Sequence, residues 1–434
     1  PSAPEDSGPD DAVTDTFLSG LALSVGTLEP PFDPEIGTYA VAVVSSDSRL
    51  SVTATVARGM PSLWLMGPGL GPEGEPFEAG VESPSVLLSE GDNLIKILLT
   101  AADSSHTRAY NITATRAGTP PDTRFCPTVD RGDPTDGVTT ITVVQPPAPC
   151  NAGPLWAGWH CTVLQSAANN NGVVYTVEAR WNRVGQPVRG SFTWVTGNDS
   201  STHWREGNNL SASVQDQLDT VDEVRTIDLA WSGMGTKTPP RNGFVNLSAV
   251  YADVVEHLVA TGVAEGVLGH FGNSGGATLG CNALVNHGMH EVWDGVVAGG
   301  GPFWIDLVYL CGSGASQGTR VLIDEWTWFE VNNDTPCARG SGAQPSFACM
   351  SLIGPDSVFD FPHTTVSLVT GDTESAFITT EAGVFYRAIT ARTKTRDFPV
   401  APHNVLKTQS GAAVVLQRIR DVVDAGSTRG DGNR

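Results

Sequence analysis

The chain has 434 residues, too many for one ordinary core, so two domains are expected. Apolar residues make up 40% and charged residues 17%, a balance that suits packed domains rather than a disordered chain. The formal charge of −22 argues against nucleic acid or an anionic membrane as partner, because both are held by clustered Lys and Arg. No apolar run reaches the roughly 18 residues that a transmembrane helix needs.

In chain order, residues 1–16 are rich in Pro, Ser and Asp and read as a disordered acidic tail. A tail of this kind follows a removed signal or a lipid-anchored cysteine, so a secreted, outer-surface or periplasmic location is expected. Residues 17–117 alternate in the manner of short strands, clearest at 39–44, 50–56, 93–99 and 109–115, with Gly91-Asp92 supplying a turn. About a hundred residues of this texture suggest an all-β sandwich of the immunoglobulin type. Its opening, Leu18-Ser19-Gly20-Leu21-Ala22-Leu23-Ser24-Val25-Gly26 followed by Phe32-Asp33-Pro34 and Tyr39, resembles the bacterial cadherin-like β-sandwich family, as do Gly91-Asp92-Asn93-Leu94-Ile95 and Tyr110. The resemblance implies either a plain spacer or a module that contacts a cell surface or matrix. Residues 118–124, rich in Pro and Gly, read as the linker.

From residue 125 to 426 the texture changes to strands alternating with helices, the pattern of a mostly parallel sheet flanked by helices. Strands are expected at 173–181, 189–196 and 225–231, then a helix whose apolar face carries Val250, Val254, Val255, Leu258 and Val259. The strand 266–271 then runs directly into Gly272-Asn273-Ser274-Gly275-Gly276 and a helix to about residue 285. Such a turn is so tight that side chains two residues either side of the serine would clash, and glycine removes the clash. The helix N-terminus points at the hydroxyl, which favours the negative charge of acyl transfer. Ser274 is therefore the candidate nucleophile.

With this motif the segment resembles the α/β-hydrolase family of serine esterases and lipases. The resemblance implies an acid and then a histidine after the nucleophile, on loops that follow later strands. Strands are expected at 293–299 and 364–370, and Asp372, just past the second and Gly371, stands where the family's acid stands. Asp306 is the runner-up acid. A helix around 380–389 and an amphipathic closing helix carrying Val415, Ile419 and Val422 complete the domain, leaving 427–434 as a tail. His403 is the candidate base by position, and no other histidine lies downstream of Asp372. His270 reads as a core histidine. The oxyanion hole is expected from the backbone N–H of Gly275 and of Asn198 or Asp199, in the loop after the third strand.

Residues 305–361 read as a lid-like insertion, in which Trp326, Trp328 and Phe329 line a substrate pocket or form the lid's own core. Asp324 and Asp334 within it read as solvated. Seven cysteines stand at 126, 150, 161, 281, 311, 337 and 349. Export favours disulfides: Cys150 with Cys161 and Cys311 with Cys337 or Cys349 are plausible pairs, and Cys281 reads as a free buried thiol. No cofactor is called for and no metal-ligand spacing is present. The expected activity is hydrolysis of carboxylic esters through an acyl-enzyme, on a substrate that export and an accessory domain would make polymeric or a cell-wall ester. A serine acyltransferase or peptidase of the same fold, or a non-catalytic adhesion protein on this scaffold, are the alternatives, and a bacterial source suits the cadherin-like module.

Overall fold

The computed structural model describes residues 16–44, 47–57, 61–70, 74–89, 91–117, 141–167, 174–197, 201–207, 209–232, 243–302, 304–327, 337–339, 347, 351–354 and 357–426. Contacts divide the chain into two units, Pro1–Pro121 and Asp122–Arg434. The expected tails, the linker, Cys126 and Cys349 lie outside the described residues.

The first unit contains β1 (Leu18–Leu23), β2 (Thr38–Val43), β3 (Arg49–Leu50), β4 (Val52–Val56), β5 (Ser62–Met66), β6 (Glu75–Phe77), β7 (Val86–Leu87), β8 (Gly91–Thr100) and β9 (Thr107–Arg116). Five strands pair in the order β2-β9-β8-β5-β6, and two shorter ladders, β1-β4 and β3-β7, complete the sandwich. Alternation places Leu63, Leu65, Ile95, Ile97, Leu99, Tyr110, Ile112 and Ala114 in one core with Leu18, Leu21, Leu50, Val52 and Ala54. The quoted motif residues have a physical role. The Tyr39 hydroxyl donates to the Asp33 carbonyl at 2.6 Å and that of Tyr110 to the Pro34 carbonyl at 3.0 Å. Two buried rings thus hold the turn between β1 and β2.

The second unit contains β10 (Thr142–Pro149), β11 (His160–Ala167), β12 (Val174–Trp181), β13 (Gly190–Val195), α1 (Ser211–Thr220), β14 (Val224–Ser232), α2 (Gly243–Ala260), β15 (Val267–Asn273), α3 (Gly275–Asn286) and β16 (Gly295–Gly299). There follow α4 (Gln317–Thr327), β17 (Asp360–Val369), α5 (Ala376–Ala388), β18 (Thr390–Asp397) and α6 (Gln409–Gly426). One nine-stranded sheet runs β10-β11-β12-β14-β13-β15-β16-β17-β18. It is parallel from β14 to β18 and antiparallel on the β10-to-β12 side. This is the α/β-hydrolase architecture that the motif order implies, behind an immunoglobulin-like sandwich.

The central strand β15 is buried along its length, so its alternation sorts two apolar layers. Val267 and Phe271 join Phe192, Trp194, Val297 and Val369 in a core closed by Val214 and Leu218 of α1 and Val415, Ile419 and Val422 of α6. His270 points the other way, toward α2 and α3. Its Nε2 donates to the Gly276 carbonyl at 3.1 Å, which leaves Nδ1 to accept from the Tyr251 hydroxyl at 2.6 Å. Tyr251 in turn meets the Thr193 hydroxyl at 2.6 Å. Burial pushes the His270 pKa down to about 3, so the ring is a neutral core element, as expected.

The disulfides are Cys150–Cys161 and Cys311–Cys337, and Cys281 is a free, buried thiol. Asp324 is not solvated. It is buried and accepts from the N–H groups of Cys337 at 2.9 Å and Ala338 at 2.8 Å, tying α4 to the disulfide-bonded segment. Asp334 lies outside the described residues. No helix among the described residues is long and apolar enough to cross a membrane.

Replacing Tyr251 with Phe removes the donor to His270 and leaves a buried ring nitrogen unsatisfied. The expected cost is about 1–3 kcal/mol of the second unit's stability, read from urea unfolding followed by tryptophan fluorescence. Trp64 is the first unit's single tryptophan among 11, so that signal reports the second unit.

Candidate active site

The carboxyl ends of the parallel strands are where open α/β sheets form their crevice, and Ser274, Asp372 and His403 all follow such ends. Ser274 sits between the last residue of β15 and the first of α3, with φ 58° and ψ −123°. Side chains rarely occupy that conformation, and it persists only where the surroundings over-determine it. Those surroundings are identifiable. A Cβ at Gly272 would run into the backbone of Gly276, and one at Gly276 into the Val195 carbonyl, so the two glycines let β15, α3 and β13 close on one another. The Ser274 N–H donates to the Gly299 carbonyl at 2.8 Å, fixing the turn to the end of β16.

Ser274 is the N-cap of α3, yet its hydroxyl makes no capping bond. An N-cap serine ordinarily spends its oxygen on the second or third helical N–H; the strained backbone turns this one away. Among the described residues Oγ has no hydrogen-bond partner, as is common in sites awaiting substrate. Gly275 opens α3, where an N–H has no intrahelical acceptor. Asn198 and Asp199 lie outside the described residues. Their neighbour Gly197 lies against the serine: a Cβ there would be 2.8 Å from Ser274 Cβ and 3.4 Å from Oγ.

His403 stands on the loop after β18. Its Nδ1 is 2.6 Å from Oε2 of Glu374, on the loop after β17. The carboxylate on the ring is therefore Glu374 and not the Asp372 expected there. Asp372 is exposed and its Oδ1 accepts from the Ala401 N–H at 3.0 Å, holding the loop two residues ahead of the histidine. The Glu374 side chain is only 4% exposed, and its other oxygen accepts from the Ser375 N–H at 2.8 Å. Burial pushes this carboxyl up, but the bonds from His403 and Ser375 outweigh it and leave the group below its ordinary value. Glu374 is thus an anion that accepts the Nδ1–H of His403.

Asp306 is accounted for differently. It is buried and caps a short turn, accepting from the Tyr309 N–H at 3.0 Å. Trp326 lies on α4, but its side chain, Trp328 and Phe329 lie outside the described residues. Among the described residues no group of three His, Cys, Asp or Glu could hold a metal.

Sequence reasoning also missed a charged cluster beside the loop that follows β13. His203 lies between two carboxylates, with Nδ1 3.4 Å from Asp228 and Nε2 3.5 Å from Glu178. Asp228 is fully buried and accepts from the N–H groups of Trp204 at 3.0 Å and Arg205 at 3.1 Å and from Gln215 at 3.1 Å. Arg180 forks onto Glu178 and reaches Glu206 at 2.7 Å. Burial opposes the His203 charge, but the two carboxylates outweigh it and push the pKa up to about 9. The partners are far apart in sequence, and no local spacing announces them.

Residues 18–117 match the family model of the cadherin-like beta sandwich domain. No curated protein matches the chain. Among solved structures, a carboxyl esterase from Bacillus coagulans is similar at 11% identity and TM-score 0.40, over 61% of this chain and 99% of that one. Acetyl xylan esterase 1 from Thermoanaerobacterium is similar at 13% and 0.39, over 65% of this chain and 88% of that one. A monoglyceride lipase variant from Saccharomyces cerevisiae is similar at 14% and 0.38, over 66% and 97%.

Two outcomes are expected. If the chain hydrolyses p-nitrophenyl acetate, Glu374→Gln is expected to lower kcat by about 10³–10⁴ and Asp372→Asn by no more than about tenfold. The reverse ranking would favour Asp372 as the partner that matters to His403. His203, raised above its unfolded value, contributes stability that is full below about pH 6.5 and lost as the pH rises through about 9. Unfolding midpoints across that window should fall, and His203→Gln should flatten the fall.

Proposed function

We propose that the chain is a serine hydrolase that cleaves carboxylic esters through an acyl-enzyme, with Ser274 as nucleophile, His403 as base and Glu374 as the orienting acid. One observation carries the reading. A serine held in a strained strand-to-helix turn, its hydroxyl unused by the helix, shares the sheet's carboxyl edge with an imidazole paired to a buried carboxylate at 2.6 Å.

In this reading His403 Nε2 takes the proton as Ser274 Oγ attacks the ester carbonyl. The imidazolium that forms is stabilised by Glu374 and then protonates the departing alcohol. The developing oxyanion is received by the N–H of Gly275 and by an N–H from Asn198 or Asp199. Water then repeats the sequence on the acyl-enzyme and releases the acid. Two disulfides support export to an oxidising compartment, most simply as a secreted or cell-surface bacterial protein. An exported hydrolase behind a cadherin-like sandwich suits a polymeric or cell-wall ester, with the sandwich as spacer or surface contact. Residues 305–361 would serve as the lid over this site.

The test is hydrolysis of p-nitrophenyl esters from acetate to long chains by the parent and by Ser274→Ala, with fluorophosphonate labelling of both. Ester turnover and labelling that vanish together in the variant are expected, and the chain-length profile sizes the pocket. A parent that is neither active nor labelled would point instead to a binding protein.

A further inference from the structure

We propose that Asn273 is the positioning residue that sets His403 against Ser274, a role that rests on the acyl-transfer reading above. Asn273 ends β15, directly before the nucleophile, and is 3% exposed. Its side chain follows Phe271 and Val267 onto the α6 face of the sheet, where Val405 and Leu406 belong to the apolar core. Pattern alone would place an aliphatic residue there.

The amide is bonded through both its nitrogen and its oxygen instead. Its Nδ2 donates to the His403 carbonyl at 3.2 Å, and its Oδ1 accepts from the Val405 N–H at 3.2 Å. The two bonds grip the backbone on either side of Asn404, 130 and 132 residues away in sequence. One partner is an acceptor and the other a donor. A carboxamide offers both complements on separate atoms of one short side chain; aspartate lacks the donor and leucine lacks both.

The neighbouring backbone leaves room for this grip and little else. Gly300 adopts φ 53°, and a Cβ on it would lie 3.1 Å from Asn273 Nδ2 and 3.2 Å from His403 Nδ1, besides meeting the His403 carbonyl. A Cβ on Gly299 would lie 2.9 Å from Asn273 Oδ1. The amide, the imidazole and the end of β16 therefore share one close-packed point. Glu374 fixes which way the ring faces; Asn273 fixes where its loop stands relative to the serine. Ser274 follows Asn273 directly, so the grip ties the serine's end of β15 to the histidine's loop.

The test uses the full chain, with Asn273→Ala and Asn273→Asp beside the parent and Ser274→Ala. Steady-state hydrolysis of p-nitrophenyl acetate is normalised to sites labelled by fluorophosphonate, and thermal midpoints are recorded separately. Asn273→Ala is expected to lower kcat per labelled site about a hundredfold with KM within about twofold, the signature of a displaced base rather than a lost binding contact. Asn273→Asp keeps the volume and the bond to Val405 but turns an oxygen toward the His403 carbonyl. It is expected to lose at least about tenfold in kcat at unchanged KM. Should the alanine variant fail to fold, the aspartate variant decides. Parental kcat per labelled site in a folded variant, whatever its thermal midpoint, overturns the positioning role and leaves the esterase reading standing. A parent inert on esters and unlabelled at Ser274 overturns both.

Discussion

The contact on which the site depends is the closure of β15, α3 and β13 around a single residue. No loop separates the strand from the helix, so Ser274 alone turns the chain, at φ 58°. Strain of this kind costs on the order of 1–3 kcal/mol and survives only where packing leaves no alternative. Here the packing is supplied by a strand buried at every residue, by a helix whose Gly275–Val285 segment is buried, and by two glycines without which the three backbones could not meet. The hydroxyl's missing capping bond follows from that closure, because the backbone that would let it cap α3 is unavailable.

The same closure explains what the sequence could reveal. Gly-x-Ser-x-Gly is legible because it records a steric condition, and steric conditions constrain residue identity. His403 was singled out by the order of elements and the absence of a later histidine. The carboxylate that meets its ring was not. Asp372 and Glu374 lie two residues apart on one loop, both follow the strand, and both find partners on the histidine's loop. What separates them is side-chain reach and burial: the shorter, exposed carboxylate meets a backbone N–H at Ala401, and the longer one passes inward to the ring. No pattern of spacing carries that distinction. The oxyanion loop is under-determined for a related reason, since only its backbone matters.

Elements show the same division. In the sandwich, β8 and β9 alternate cleanly between core and surface and were legible as strands. In the second unit β18, Thr-Ala-Arg-Thr-Lys-Thr-Arg-Asp, has no apolar face and was missed. Among the described residues it is an edge strand that pairs with β17 alone, and charge on such an edge discourages association with other chains. Its polarity is therefore a consequence of its place in the sheet, which local sequence does not state. The Phe-Asp-Pro and tyrosine residues of the sandwich were recognisable for the opposite reason: their hydroxyl-to-carbonyl bonds hold one turn, and substitutions that break those bonds would release it.

Three histidines of the second unit show how far environment rather than residue type decides chemistry. His270 faces a phenol and a carbonyl with no carboxylate on its ring, and burial keeps it neutral. His203 faces two carboxylates in a buried cluster and is held as a cation. Neither can serve as a base that gains and sheds a proton each turnover, because in each the fold has settled the charge. His403 has one carboxylate, on Nδ1, while its side chain is 43% exposed. That combination sets the ring's direction while leaving much of the ring open to solvent, which the proposed role of His403 requires. A general base needs that asymmetry: orientation enforced on one side, and exchange permitted on the other.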